Sequence, residues 1–118
     1  MTNTLKQIAE ALNLAVKSGD DLLARTVTGG YAGDLLSDVL AHARQGDVWI
    51  TLQTHSNIVA VASAKELCGV IIVHGRSPEE ATLRKAELEH IPILVSPLST
   101  YDVVCQLCEL GVTNREGV

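Results

Sequence analysis

The stretch "GVIIVHGRSPEEATLRKAELEHIPILVS", residues 69–96, decides the architecture. Its first part, Gly69–Gly75, is apolar without polar alternation, as in a strand covered on both faces. Ser77 then stands where an N-cap belongs, with Pro78 at the first helical position and Glu79 and Glu80 in the first turn, so a helix is predicted to follow. "IPILVS" reads as a second buried strand. Strand, helix and strand in this order predict a parallel pair joined by a helical crossover.

The same alternation extends outward. Upstream, "DVWITLQTH" is a strand rich in β-branched and aromatic residues, and Ser56 or Asn57 caps the helix "NIVAVASAKELCG". Asp34 is expected to cap a helix over Leu35–Ala43 with Leu35, Leu36, Val39, Leu40 and Ala43 on its apolar face and Gly46 as its stop. Before that, a short strand is expected at Ala24–Val27, another in "NLAVKSG", and a helix over Thr4–Leu12. Downstream, "STYDVVCQLCELG" is a helix with a capping box, Ser99 and Asp102, and Gly111 as its stop. The tail from Val112 is expected to fray. The whole predicts one α/β domain over residues 1–118, a mainly parallel sheet covered by helices.

Composition narrows the function. A 118-residue chain with 47% hydrophobic and 19% charged residues can bury one core. Its net charge of −5 and singly scattered basic residues argue against nucleic acid as a partner. "LKQIAEALNL" has the look of the opening helix of a helix-turn-helix, yet no recognition helix or basic surface follows. No apolar run approaches the roughly 20 residues that cross a bilayer, and the N-terminus lacks a signal-peptide pattern, so a cytoplasmic protein without membrane contact is expected. Three cysteines, an odd number, are expected to be thiols.

In open parallel sheets ligands sit outside the carboxyl ends of the strands, beside helix N-termini. Four connections should converge there: "TGGYAGD", "QTHSN", "HGRSP" and "SPLST". The candidate ligand-binding residues are Thr28, Gly29, Gly30, Asp34, Gln53, Thr54, His55, Asn57, His74, Arg76 and Ser96. Unpaired N–H groups at the helix starts and the Arg76 guanidinium suit an anionic small molecule, nucleotide-like or phosphorylated. "TGGYAGD" matches neither G-x-x-x-x-G-K-[ST] nor G-x-G-x-x-G. Asp34 already places an anion at that helix start, so a tight turn with ribose or hydroxyl recognition is expected there. Ser56, Asn57, Ser77 and Ser99 also read as ordinary caps, and His74 as satisfying a backbone group.

The histidines are dispersed. Only His55 and His74 share the expected edge, so no metal or other cofactor is expected. Cys105 and Cys108 form a C-x-x-C, but in mid-helix, where packing is the simpler role. The helix from Asn57 is apolar nearly all round, and Ile58, Val59, Val61 and Ala62 are expected to form a homodimer interface; overlap by a neighbouring helix is the alternative.

The segment "RTVTGGYAGDLLSDVLAHARQGDVWITLQTHSNIVAVASAKELCGVIIVHGR", residues 25–76, resembles a DRTGG domain, the small α/β module named for its D-R-T-G-G stretch. Here that stretch reads Ala24-Arg25-Thr26-Val27-Thr28-Gly29-Gly30, so Thr28-Gly29-Gly30 matches and the leading Asp-Arg pair does not. The likeness runs from the first helix to "STYDVVCQLCELG", and "GDLLSDVL" and "WITLQTHSNIVAVA" are similar to stand-alone bacterial members. The resemblance implies a fold similar to the N-terminal domains of HPr kinase/phosphorylase and MurF-type ligases. The family is found fused to phosphotransacetylases and CBS-domain pyrophosphatases, which implies a regulatory or dimerisation module and not a catalyst. Two other readings stay open: a structural adaptor that binds another protein, and a small enzyme using His55 or His74.

Overall fold

The computed structural model describes residues 3–114. A five-stranded sheet has the order β2-β7-β6-β5-β4, in which β2 (Ala15–Ser18), β4 (Gly29–Ala32), β5 (Asp47–Thr51), β6 (Gly69–Ile72) and β7 (Ile93–Val95) take part. The strands β4 to β7 are parallel to one another, and β2 runs antiparallel on the edge beside β7. A separate ribbon pairs β1 (Asn3–Thr4) with β3 (Thr26–Val27). The expected α/β architecture is therefore present, with one antiparallel strand added to a parallel sheet.

Alternation along the strands splits the core into two layers. Val48, Ile50, Ile71, Val73 and Leu94 point to one face, where α1 (Leu5–Ala11) and α5 (Thr100–Glu109) cover them with Leu5, Ile8, Val103 and Leu107. Trp49, Val70, Ile72, Ile93 and Val95 point to the other. There α2 (Leu36–His42), α3 (Asn57–Ala64) and α4 (Glu80–Glu89) supply Val39, Ile58, Val59, Ala62 and Ala86. Every residue of β5 and β6 is buried, which explains why these strands lack alternation in sequence.

The placement of α2, α3 and α4 follows from the handedness of β-α-β crossovers. Strands β4, β5, β6 and β7 are neighbours in chain order, so three like-handed crossovers all land on one face. The parallel part of the sheet accordingly contains no reversal of strand order.

Several boundaries differ from expectation. Gly29–Ala32 is a strand and not part of a strand-to-helix loop; its two glycines masked it in the sequence. The strand expected at Ala24–Val27 shrinks to Thr26–Val27. Asp34 does not cap α2, because its carboxylate accepts hydrogen bonds from Thr51 Oγ1 and the Leu52 N–H, both at 2.9 Å. Leu35 is the residue at the cap position. Leu35 and Leu40 are 68% and 43% exposed, so the buried stripe of α2 is carried by Val39 and Ala43.

Ser77 and Pro78 precede α4 instead of starting it. The Glu79 N–H and Thr82 Oγ1 both donate to the Thr54 carbonyl, at 3.2 and 2.8 Å, which sets the first turn at Glu80. The chain after Gly111 also departs from the expected fraying. Val112 is buried with α1 and α5, and the Asn114 side chain bonds the backbone of Gly30. The rest of that tail, residues 115–118, lies outside the described residues.

The self-association surface assigned to α3 is corrected as well. Ile58, Val59, Val61 and Ala62 are at most 5% exposed within a single chain. The sheet buries one side of α3, and α2 and α4 pack along its flanks. An apolar helix between two neighbours on a sheet is covered nearly all round without a second copy.

Candidate functional site

Of the sequence-derived candidates, Asp34, Gln53, Thr54, His55, Asn57, His74, Arg76 and Ser96 lie at or just beyond the carboxyl ends of β4 to β7. Thr28, Gly29 and Gly30 do not. They open β4, with Gly29 level with Asp47 at the amino end of β5. Two to four residues of strand, about 7 to 13 Å, separate them from the expected edge.

At the carboxyl edge the connecting loops satisfy one another. The Gln53 Nε2 amide donates to the Asp34 carbonyl at 2.9 Å. The His74 N–H donates to the Leu98 carbonyl and the Gly75 N–H to the Ser96 carbonyl, both at 2.8 Å. Ser96 Oγ, fully buried, accepts from the Leu98 N–H at 3.1 Å. His55 Nδ1 accepts the Asn57 N–H at 3.1 Å and so serves as a helix-start acceptor. The Asn57, His74 and Gly75 N–H groups are in these ways already bonded to protein. With no reversal of strand order between β4 and β7, the loops do not part into a switch-point crevice.

Two clefts lie elsewhere. The first, about 520 Å³, opens near the amino ends of the strands and is lined by Arg25, Gln45, Glu66, Cys68, Glu89 and His90 among others. Burial pushes the Cys68 thiol up to about 11, partly opposed by the Arg25 charge, so this thiol is neutral at ordinary pH. The three cysteines are free; Cys68 is buried, Cys105 and Cys108 are exposed. Among the described residues no group of three or more His, Cys, Asp and Glu is placed to hold a metal ion, and no helix is long and apolar enough to cross a membrane.

The second cleft, about 430 Å³, lies between the edge strand β4 and α5, with the segment Val112–Asn114 as its third wall. Its lining is mostly apolar: Ala32 and Ile50 from the sheet, Val104 and Leu107 from α5, and Val112. Cys108, Thr113 and Asn114 bring polar atoms, and among the described residues none that lines it is charged. Small residues make the space: Gly30 and Ala32 alternate with Tyr31, so the face of β4 toward α5 carries almost no side chain. Its size falls in the range of small-molecule sites.

Tyr31, also on this strand, donates its phenolic proton to Asp38 Oδ2. That bond, with burial and the Asp38 charge behind it, raises the Tyr31 hydroxyl above its usual value and ties β4 to α2. Sequence reasoning found neither this pair nor Asn114. Tyr31 and Asp38 carry no local signal of partnership, and Asn114 sits in a polar tail.

The signature residues have structural work at the start of β4. A Cβ built on Gly29 would lie 2.7 Å from Asp47 Oδ1 and 2.5 Å from Asn114 Oδ1, so only glycine lets β4 approach β5 this closely. Asp47 is itself buried and accepts the Arg44 N–H through Oδ2 at 2.9 Å. The Thr28 hydroxyl packs over Gly46. Thr28-Gly29-Gly30 thus fits the first parallel strand onto the turn that opens the second.

Comparison with known proteins agrees with this fold. The CBS and DRTGG domains of the regulatory region of Clostridium perfringens pyrophosphatase, whose crystal structure holds the activator diadenosine tetraphosphate, match with a TM-score of 0.73 at 13% sequence identity. The match covers 97% of this chain and 51% of that one, so the present chain spans about half of that regulatory region. No curated protein matches the chain. The family model of the DRTGG domain matches residues 7–110, and with most of its length covered the chain belongs to the DRTGG domain family.

Proposed function

We propose that this chain is a non-catalytic regulatory domain that senses a small molecule in the cleft between β4 and α5. The observation that carries the reading is the cleft itself: about 430 Å³, mostly apolar, walled by a strand, a helix and the segment Val112–Asn114. A ligand there touches three separate parts of the chain, and differential contact with two arrangements of those parts is what lets a ligand shift a population. Membership of the DRTGG family and the fold shared with the regulatory region of a nucleotide-activated pyrophosphatase support a regulatory role.

The test is a thermal-shift screen of nucleosides, nucleotides and phosphorylated metabolites on the wild type, Ala32→Phe and Arg76→Ala. Ala32 is exposed on the wall of the cleft, and a phenyl ring there fills it. A saturable stabilisation that Ala32→Phe removes and Arg76→Ala keeps supports the cleft. The converse pattern moves the site to the carboxyl edge, where Arg76 and His74 are exposed. No saturable shift across the panel overturns the sensing role.

Homodimerisation belongs to this proposal only through surfaces other than α3. Leu35, Leu88 and Tyr101 are the most exposed large apolar residues of the chain among those described. Light scattering across a concentration series decides it, and a monomer throughout removes it.

A further inference from the structure

We propose that the ligand of the β4–α5 cleft is a neutral planar heterocycle carrying an adjacent hydrogen-bond donor and acceptor, of the kind a purine base presents, and that it binds the Gly30 backbone in place of Asn114. The inference rests on the cleft being the sensing site.

Among the described residues β4 is the last strand of the sheet and has a neighbour on one side only. In an extended strand the N–H and C=O of one residue point to the same side, and successive residues alternate sides. At Gly30 both groups point outward, where the Asn114 carboxamide meets them. Asn114 Oδ1 accepts from the Gly30 N–H at 2.9 Å, and Asn114 Nδ2 donates to the Gly30 carbonyl.

A side-chain amide therefore occupies the place of a missing partner strand. The pattern it satisfies, one acceptor beside one donor, is that of the adenine edge formed by a ring nitrogen and the exocyclic amino group. Both Gly30 and Asn114 line the cleft, so a base bonded at Gly30 would lay its ring against Ile50, Leu107 and Val112.

Two further observations bear on the class of ligand. No lining residue among those described is charged, so we take the part of the ligand that enters to be neutral, with any phosphate in solvent. Asn114 is exposed, so its amide can leave Gly30 for water without stranding a buried group. In a nucleotide, affinity would then reside in the base and depend little on salt.

The experiment titrates the full-length, isotope-labelled chain, followed by its amide resonances. The three probes are adenosine, N6,N6-dimethyladenosine, which lacks the donor, and indole, which is flat but lacks the adjacent donor–acceptor edge. Saturable movement of the Gly30 amide and the Asn114 side-chain amide is expected with adenosine. Dimethyladenosine should bind about tenfold more weakly, the loss of one well-placed hydrogen bond. Asn114→Ala should tighten adenosine because the internal competitor is gone, and Asn114→Asp, which cannot donate to the Gly30 carbonyl, should do the same if the alanine variant is unstable.

Equal binding of indole and adenosine in the cleft, with the Gly30–Asn114 pair undisturbed, overturns the proposed class and leaves the sensing site standing. Movement confined to His74, Arg76 and Ser96 overturns both. So does the lack of any response at cleft residues to all three probes.

Discussion

Thr28 lies directly over Gly46: a Cβ built on that glycine would come within 2.3 Å of Thr28 Oγ1. Gly46 also has φ +86, in the turn that leads from α2 to β5. The Thr28 N–H donates to the Gly46 carbonyl at 3.1 Å, so the two residues are clamped face to face. Gly46→Ala should therefore cost about 2 to 4 kcal/mol, combining a positive-φ penalty with overpacking. Thr28→Ala in the same chain should recover about 1 kcal/mol or more of that, seen as non-additive chemical-denaturation midpoints. Strict additivity would mean that the two residues do not share the strain.

The two glycines of the signature should respond differently. A methyl at Gly29 meets the buried Asp47 carboxylate, which the Arg44 N–H holds in place, whereas a methyl at Gly30 finds only ordinary contacts of 3.5 Å and beyond. We expect Gly29→Ala to destabilise by about 1 to 3 kcal/mol and Gly30→Ala to stay within about 1 kcal/mol of the wild type. Paired denaturation curves check this, and similar costs for both would remove the close approach of β4 and β5 as the reason for the motif.

Asp47 gives the protein a pH signature. Burial raises its carboxyl above the ordinary value, against the opposing pull of the Arg44 N–H and of the Arg44 and Lys65 charges. The folded chain then holds this proton more tightly than the unfolded chain. Its contribution is greatest below the ordinary carboxylate value and is lost as pH rises through the raised one. Asp47→Asn, neutral at every pH and still able to accept from the Arg44 N–H, should gain stability relative to the wild type as pH rises through that window and keep a constant lead above it. A wild type that gains on the variant with rising pH would show instead that pairing outweighs burial.

Ile58→Ala tests where α3 belongs. With 1% of its surface exposed inside one chain, Ile58 should cost about 2 to 5 kcal/mol when truncated, and the loss should be independent of protein concentration. A stability that rises with concentration in the wild type and not in the variant would restore the interface reading.

Local chemistry made much of the scaffold legible. Residues 69–96 announce strand, helix and strand because unbroken β-branched runs need cover on both faces, and the helices around them carry apolar stripes and stops. Asn13 and Gly111 end their helices with positive φ as their types allow. Ser99 caps α5, its hydroxyl accepting the Asp102 N–H at 3.2 Å, which is the Ser99 half of the expected capping box. The family likeness was legible too, since it rests on Thr28-Gly29-Gly30 and the segments that follow.

What the chain could not declare locally depended on partners distant in sequence. Gly29–Ala32 is a strand because β5 pairs with it and Asp47 leaves room for no side chain at Gly29, a condition set 18 positions downstream. α3 is wrapped by α2 and α4 because three like-handed crossovers place them side by side, so its apolar surface had a destination inside the chain. The candidate site moved for the same reason. Hydrogen bonding and hydrophobic burial act between whichever groups the topology brings together, and only the tertiary structure sets Asn114 against Gly30, 84 residues apart, beside an open apolar cleft.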